Sequence, residues 1–397
     1  MSPQRKLGAF ALIALLVLAL APDADAQRRR LRRPPAPPPP PAVAQHVTIM
    51  DGASGAILLC QDCDAPIPPA SMSKLMTVLI VLEKLRAREI TMSTRFRVSE
   101  YAWREHGAMS TGSHMFLPID AEVAVSDLLQ GAVIVSANDA CVVLAEGIAG
   151  SEEAFVALMN RRAEELGLRS ARFRNVTGVD DAEQRISSAD LARLARYLIA
   201  TYPEFYPVYS RRQFTFNNRT QQNRNPLLGA FAGADGVKTG HTDESGYGLI
   251  GSAVLNGQRR IVVFNGLPTM ASRNSEAQRL MSAAFNDFSI SQVAAAGEEV
   301  GAARVRLGSR GTVPLVAQQN IIIGGPRGVQ EGLTAKIVYD GPLRAPIADG
   351  DVVARLVIAG PNFQTQEFPL AAGRSIGRAN WFVRAWEGLR LTLFGPS

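Results

Sequence analysis

The apolar positions fall into three regimes along the chain. The first is one continuous run, Leu7 to Ala21, with Arg5 and Lys6 ahead of it and Ala24-Asp25-Ala26 behind it. A bilayer span needs roughly 20 apolar residues, so the run is short for one. A basic start, an apolar middle and a small-x-small end mark residues 1–26 as a secretory signal peptide, with an uncleaved anchor as the alternative. The second regime mixes strand and helix periods. Val47–Met50 and Ala56–Leu59 flank Asp51-Gly52-Ala53-Ser54-Gly55 and predict a hairpin. Leu75 to Leu82 are apolar for more than two turns and lead into Glu83-Lys84-Leu85-Arg86, the pattern of a helix that is buried and then surfaces. Residues 122–131 carry Val123, Val125, Leu128 and Leu129 at helical spacing, and Val142–Ala145 and Phe155–Met159 read as further helices. Residues 187–200 form an amphipathic helix capped by Ser187 or Ser188. Strands return at Gly246–Ala253 and Arg260–Phe264. The order strand, helices, strands predicts an α/β layer in which helices cover an antiparallel sheet. After about Ser289 comes the third regime: short β-rich runs at Ala303–Leu307, Thr312–Leu315, Asn320–Ile323, Thr334–Tyr339 and Val352–Ile358, punctuated by Gly and Pro. These predict a small all-β domain, a sandwich.

The end of the chain differs again. Phe382, Ala385, Trp386, Leu389 and Leu393 share one helix face, with Asn380, Arg384 and Glu387 opposite. An amphipathic, cationic helix with two Trp suits a membrane interface, and packing on the protein's own surface is the alternative.

Composition narrows the class. The 397 residues suffice for two domains, or for one large domain with an appendage, and an apolar content of 47 % is ordinary for a folded protein. The formal net charge of +6 is unevenly placed. Gln27 to Arg33 holds five arginines and the stretch Pro34 to Pro41 is proline-rich, so residues 27–44 read as a basic linker without a core. An exported protein seldom meets nucleic acid, so these arginines point to an anionic membrane surface or polymer. Cys60 and Cys63 either pair across a turn or stay reduced, and Cys141, in an apolar helical stretch, reads as buried and free. His46, His106, His114 and His241 show no metal-ligand spacing, so neither a metal nor another cofactor is expected.

Three short motifs carry chemistry. Ser71-x-x-Lys74 opens the buried helix just after Pro68-Pro69, and a spacing of three puts both side chains on one face. A serine hydroxyl is a poor nucleophile until a base takes its proton, and a lysine is that base only where burial or nearby positive charge lowers its pKa. Alone, the motif also fits any serine-capped helix with a lysine in its first turn. Ser136-Ala137-Asn138 presents a hydroxyl and an amide to one cleft from a short loop, or simply caps a helix. Lys238-Thr239-Gly240 starts a strand and offers a fixed cation, a hydroxyl and a residue whose missing side chain lets a ligand pair with the strand edge.

Ser-x-x-Lys, Ser-x-Asn and Lys-Thr-Gly, in this order, are the motif set of penicillin-binding proteins and class A β-lactamases. Over roughly residues 45–373 the chain resembles the low-molecular-weight penicillin-binding proteins of the serine D-alanyl-D-alanine carboxypeptidase family, peptidase S11. Asn175-x-Thr177-Gly178, Asn223-x-Asn225 and Gly236 to Asp243 match the family as well. Ala137 departs from its usual glycine, and Cys60 and Cys63 fall outside its pattern. The Glu-x-x-Leu-Asn segment with which class A β-lactamases deacylate is missing, which argues against an efficient β-lactamase.

The resemblance implies a catalytic domain of β-lactamase/transpeptidase type at 45–288, a β domain at 289–373 and an amphipathic membrane-anchor helix at 374–397. It implies peptidoglycan pentapeptide as substrate and β-lactams as covalent inhibitors. Ser71 would attack the terminal D-Ala–D-Ala bond, Lys74 would act as base, and Ser136 would pass a proton toward the leaving amine. Lys238 would tune the local field, and the backbone N–H groups of Ser71 and His241 would receive the oxyanion. Asn138 would hold the peptide amide, Gly240 would leave the strand edge open, and Thr239 with Arg273, in Arg273-x-x-Glu276, would bind the terminal carboxylate. An ordinary surface role is the alternative for Arg273. The implied location is periplasmic or extracytoplasmic, on the outer face of the cytoplasmic membrane. A D,D-endopeptidase and a non-catalytic cell-wall scaffold compete with this function.

Overall fold

The computed structural model describes residues 43–328, 332–361 and 363–381. The expected signal peptide and most of the basic linker lie outside them, as does the chain from residue 382 onward.

The first hairpin forms as its sequence indicates. Strand β1 (His46–Asp51) pairs antiparallel with β2 (Ile57–Gln61). Asp51 shapes the turn, its Oδ2 accepting from the backbone N–H and hydroxyl of Ser54, while its other oxygen pairs with buried Arg260. Cys60 and Cys63 are joined by a disulfide, and Cys141 is buried and free.

Helix α1 (Lys74–Arg86) runs through the middle of the domain, with Leu75 to Leu82 all buried. A helix that is apolar all round has no solvent face. One 3₁₀ turn, Ala70–Ser73, leads into it. Helix α2 (Glu100–His106) starts on Ser99, whose side chain accepts from the Ala102 N–H. The stretch 122–131 is not one helix. Glu122–Ala124 forms β4 against β3 (Arg95–Arg97), and α3 covers only Val125–Gln130. The exposed–buried alternation at Glu122–Val123 and an available partner strand decide in favour of pairing. A widened π turn, Gly131–Val135, then ends in Ser136 at φ +64°. Helices α4 (Asn138–Ala149), α5 (Glu152–Glu165) and α6 (Ser188–Thr201) follow, the last two capped by Ser151 and Ser187. A small hairpin, β5 (Gln213–Phe216) and β6 (Arg219–Gln222), turns on Asn217 and Asn218, both at positive φ.

Strands β7 (Ala234–Thr242), β8 (Gly246–Leu255) and β9 (Gln258–Leu267) complete an antiparallel sheet of order β2-β1-β9-β8-β7. Strand β7 begins before Lys238, where the sequence pattern starts it, because Gly236 already pairs with Ser252 in the ladder. It lies at the sheet edge. Helix α7 (Met270–Asn286), absent from the sequence expectation, opens on a Thr269–Ser272 capping box and lies against β8 and β9.

The all-β domain follows α7 directly with β10 (Phe288–Ala294). Strands β11 (Glu299–Arg306), β12 (Thr312–Ala317), β13 (Ile321–Pro326), β14 (Thr334–Val338), β15 (Leu343–Arg344), β16 (Val352–Gly360) and β17 (Phe363–Ala372) complete it. Its sheets are β14-β16-β17-β12-β11-β15 and β10-β13. Ala294, Ile321 and Ile323 from the smaller sheet share one core with Leu315, Leu356 and Leu370 from the larger, as a sandwich requires. The joint to the catalytic domain is close: Arg327 donates to the carbonyls of Asn286 and Phe285, and Gly324 lies against Leu58.

The segment expected as an anchor helix from residue 374 begins differently. Ile376 bridges Ile347 and Arg378 bridges Gly308, with Ile376 and Ala379 buried. Burial of these two apolar side chains holds residues 374–380 on the β domain in non-helical form. Among the described residues no helix is long and apolar enough to cross a membrane.

Candidate active site

Ser71 sits in the 3₁₀ turn and Lys74 opens α1, so both face one cleft. Lys74 is fully buried. Its Nζ lies 2.9 Å from Ser71 Oγ, 2.7 Å from Asn138 Oδ1, and within hydrogen-bond reach of the Thr177 carbonyl. Burial pushes the Lys74 pKa down to about 8, with Arg224 acting in the same direction against the pull of Cys141 and Asp139. A neutral amine has two N–H donors and one lone pair. The two carbonyl acceptors, Asn138 Oδ1 and Thr177 O, take the donors, and the lone pair is left for the Ser71 hydroxyl. In its neutral form, which the lowered pKa makes accessible, the lysine is thus placed to accept the proton of serine.

Each partner is held in place. The Thr177 carbonyl comes from a turn in which Asn175 Oδ1 accepts from the Thr177 and Gly178 N–H groups. Gly178 has φ +81°, and a Cβ there would meet the Ala70 carbonyl oxygen at 2.0 Å, so the turn closes on the nucleophile only with glycine. Asn138 opens α4 beside Asp139, whose carboxylate accepts from the N–H groups of Met115, Leu117 and Ala140. Ser136 Oγ is buried and among the described residues has no hydrogen-bond partner. A buried hydroxyl without a partner is costly unless a ligand supplies one.

Strand β7 forms the opposite wall. Its side chains alternate. Gly240 packs on the nucleophile turn, while His241 stacks on Tyr247, ring centroids 3.8 Å apart, and both rings line the cleft. Lys238 Nζ donates to the Thr239 carbonyl at 3.0 Å, and burial, with repulsion from Lys74, holds its pKa well below the usual lysine range. A Cβ at Gly240 would lie 3.0 Å from the Pro69 carbonyl oxygen and 3.1 Å from Ala70 Cβ. The missing side chain thus lets the strand pack on the nucleophile turn. Gly240 also lines the cleft, on the side where a ligand along the strand would lie. The cleft between these walls has a volume of about 340 Å³, and Ser71, Ser136, Asn138, Thr239, His241 and Arg273 are among its lining residues.

Arg273 is no surface arginine: it is 4 % exposed. Its guanidinium donates to Asn274 Oδ1 and to the Arg224 carbonyl, and among the described residues no carboxylate pairs with it. Glu276 pairs with Arg279 instead, at 2.7 Å. Sequence reasoning misses Arg224. Its Nη1 donates to Ser113 Oγ at 2.6 Å, it lines the cleft, and burial lowers its pKa. The signal is its place between the two asparagines of Asn223-x-Asn225. All nine residues singled out from sequence therefore meet at one site, and Arg224 adds a second arginine beside Arg273.

A serine backed by a buried lysine, facing an edge strand with cations at one end, defines a serine acyl-transfer enzyme. The family model described as D-alanyl-D-alanine carboxypeptidase matches residues 34–268, and that of the penicillin-binding protein 5 C-terminal domain matches residues 288–383. D-alanyl-D-alanine carboxypeptidase DacA of Haemophilus influenzae is 36% identical over 355 residues, 89% of this chain and 90% of that protein. D-alanyl-D-alanine carboxypeptidase DacD of Escherichia coli is 36% identical over 340 residues, 85% and 87% of the two chains. The crystal structure of penicillin binding protein 5 from Haemophilus influenzae matches with a TM-score of 0.71 at 36% identity, covering 86% of this chain and 99% of that one. The chain belongs to the D-alanyl-D-alanine carboxypeptidase family.

Proposed function

We propose that the protein removes the terminal D-alanine from peptidoglycan pentapeptide stems through an acyl-enzyme on Ser71, and that penicillins acylate the same serine. The observation that carries this reading is Lys74 Nζ, held by two carbonyl acceptors with its remaining valence toward Ser71 Oγ. Lys74 takes the hydroxyl proton as Oγ attacks the scissile carbonyl. The N–H groups of Ser71 and His241 receive the oxyanion. Ser136 Oγ, without a hydrogen-bond partner among the described residues, passes the proton to the amine of departing D-alanine. Because Asn138 Oδ1 is engaged by Lys74, its Nδ2 is the group left to hold the acyl-side amide. Arg273 and Thr239 bind the terminal carboxylate, and Lys238 adds its field. Water then hydrolyses the ester with Lys74 again as base.

Residues 1–26 direct export, 27–44 form a spacer, 45–288 are the catalytic domain and 289–373 the β domain, which we extend through Ala379. The cationic segment from Trp381 onward tethers the enzyme to the outer face of the cytoplasmic membrane. The test is to incubate the mature chain with a disaccharide pentapeptide and with a fluorescent penicillin, beside Ser71→Ala. We expect D-alanine release and labelling, with both lost by at least about 10³-fold in the variant. Labelling without release would favour an endopeptidase or a scaffold, and neither signal would refute the reading.

A further inference from the structure

The turn that carries the Thr177 carbonyl is held in an unusual way. Five consecutive backbone N–H groups, from Arg174 to Gly178, donate to side chains. Among the described residues none of the five donates to a backbone carbonyl. A segment without a ladder of its own takes its position from whatever satisfies its N–H groups. Three side chains do so here: Gln184, Glu152 and Asn175.

Gln184 contributes most. It is 2 % exposed. Its Oε1 accepts from the Arg174 and Asn175 N–H groups at 2.9 and 3.0 Å. Its Nε2 donates to Asn175 Oδ1 at 3.2 Å and to the Val179 carbonyl at 3.4 Å. A carboxamide offers two acceptor sites and two donors, so all four are used. Asn175 Oδ1 is also the atom that accepts from the Thr177 and Gly178 N–H groups. Gln184 therefore holds the start of the turn directly and its end through the Asn175 carboxamide. Glu152 Oε1 takes the Val176 N–H between them at 3.0 Å. Gln184 does not line the catalytic cleft.

We propose that Gln184 is a positioning residue for the base: through this turn it keeps the Thr177 carbonyl on Lys74 Nζ. With that acceptor in place, both donors of the neutral amine are taken and its lone pair stays on Ser71 Oγ. With the turn released, the amine rotates and the lone pair leaves the hydroxyl. The effect falls on the rate of acylation and not on substrate binding. This rests on the acyl-enzyme reading of Ser71 and Lys74.

The test compares the mature wild-type chain with Gln184→Met, Gln184→Glu and Asn160→Ala. It measures kcat and KM for D-alanine release from a pentapeptide, the rate of fluorescent-penicillin labelling and the melting temperature. Methionine fills a similar volume without the amide. A buried glutamic acid stays neutral and keeps an acceptor and one donor. Asn160 bonds the N–H and the carbonyl of Phe173, just before the turn, so Asn160→Ala loosens the same loop and leaves the supports of the Thr177 carbonyl alone. We expect Gln184→Met to lose about tenfold in kcat with KM unchanged. Gln184→Glu should lose about threefold. Asn160→Ala should melt lower and keep its kcat. A kcat in Gln184→Glu equal to wild type would overturn the role, even if Gln184→Met does not fold. A loss in Asn160→Ala as large as in the Gln184 variants, or a raised KM in place of a lowered kcat, would overturn it too. A wild type that labels but releases no D-alanine would overturn the carboxypeptidase reading alone, and the labelling rates would then decide on Gln184 by the same comparison.

Discussion

Lys74 carries two demands that ordinarily conflict. It must be deprotonated to act as a base, yet a lysine in water is protonated at neutral pH. Burial reduces the conflict by lowering its pKa from 10.5 to about 8, which leaves a minor neutral fraction at neutral pH. The active form is the neutral one, so acylation should speed up as pH rises through about 8 and level off above it. The rate of labelling by fluorescent penicillin, followed across that range, measures this midpoint. Arg224 pushes Lys74 in the same direction as burial. Arg224→Gln should therefore move the midpoint upward, by up to about one unit, and slow acylation at neutral pH. An unmoved midpoint would leave Arg224 only its bond to Ser113. The shift also bears on stability. Between about 8 and 10.5 the unfolded chain holds this proton more tightly than the fold does, so the Lys74 contribution to stability rises with pH across that window.

At the scale of elements, the site is where a 3₁₀ turn, a π turn, an edge strand and the Asn175–Gly178 turn converge. Two glycines set the spacing. Gly178→Ala places a Cβ 2.0 Å from the Ala70 carbonyl oxygen at a φ of +81°. The Ala70 carbonyl accepts from Ser73 Oγ, one residue before Lys74, so the turn cannot yield without moving the nucleophile. The variant should lose penicillin labelling by about tenfold or more and melt several degrees lower, as strain of about 1–3 kcal/mol implies. Unchanged labelling would show that the turn is not a positioning element. Much of this arrangement is legible in the sequence. Ser71, Lys74, Ser136, Asn138 and Lys238 stand in local motifs, and the apolar run of α1 marks the helix that buries the base. Helix α7 is not legible, for a physical reason. Its buried stripe, Arg273, Glu276, Ala277, Leu280, Met281 and Ala284, contains two charged residues, so the apolar period that announces a helix is broken where the helix does its work. The π turn before Ser136 and the strand at Glu122–Ala124 are likewise decided by tertiary partners. Cys60 and Cys63 leave two readings open in sequence, and only their proximity in space, Cα atoms 5.0 Å apart, chooses the bond.

Across the whole molecule the charge is sorted. Residues 43–381 hold equal numbers of acidic and basic side chains, so the net +6 lies entirely outside them, in the arginine run before the fold and the segment after it. A neutral body has no general attraction to an anionic surface, whereas each basic residue near one contributes about 1 kcal/mol. The two ends should act by different physics. The five arginines of 28–33 have only Leu31 among them, so their attraction is chiefly electrostatic and is screened within a Debye length of about 10 Å at 0.1 M salt. The end of the chain adds Phe382, Trp386, Leu389 and Leu393, whose burial in an interface resists salt. Sedimentation of the mature chain with vesicles rich in phosphatidylglycerol tests the division. Deleting residues 27–42 should remove the salt-sensitive part of binding, and deleting 382–397 should remove the salt-resistant part. Residues 43–381 alone should stay in the supernatant. If that body pelleted with the vesicles at physiological salt, attraction would have to come from its own surface, and the two-ended tether would be wrong.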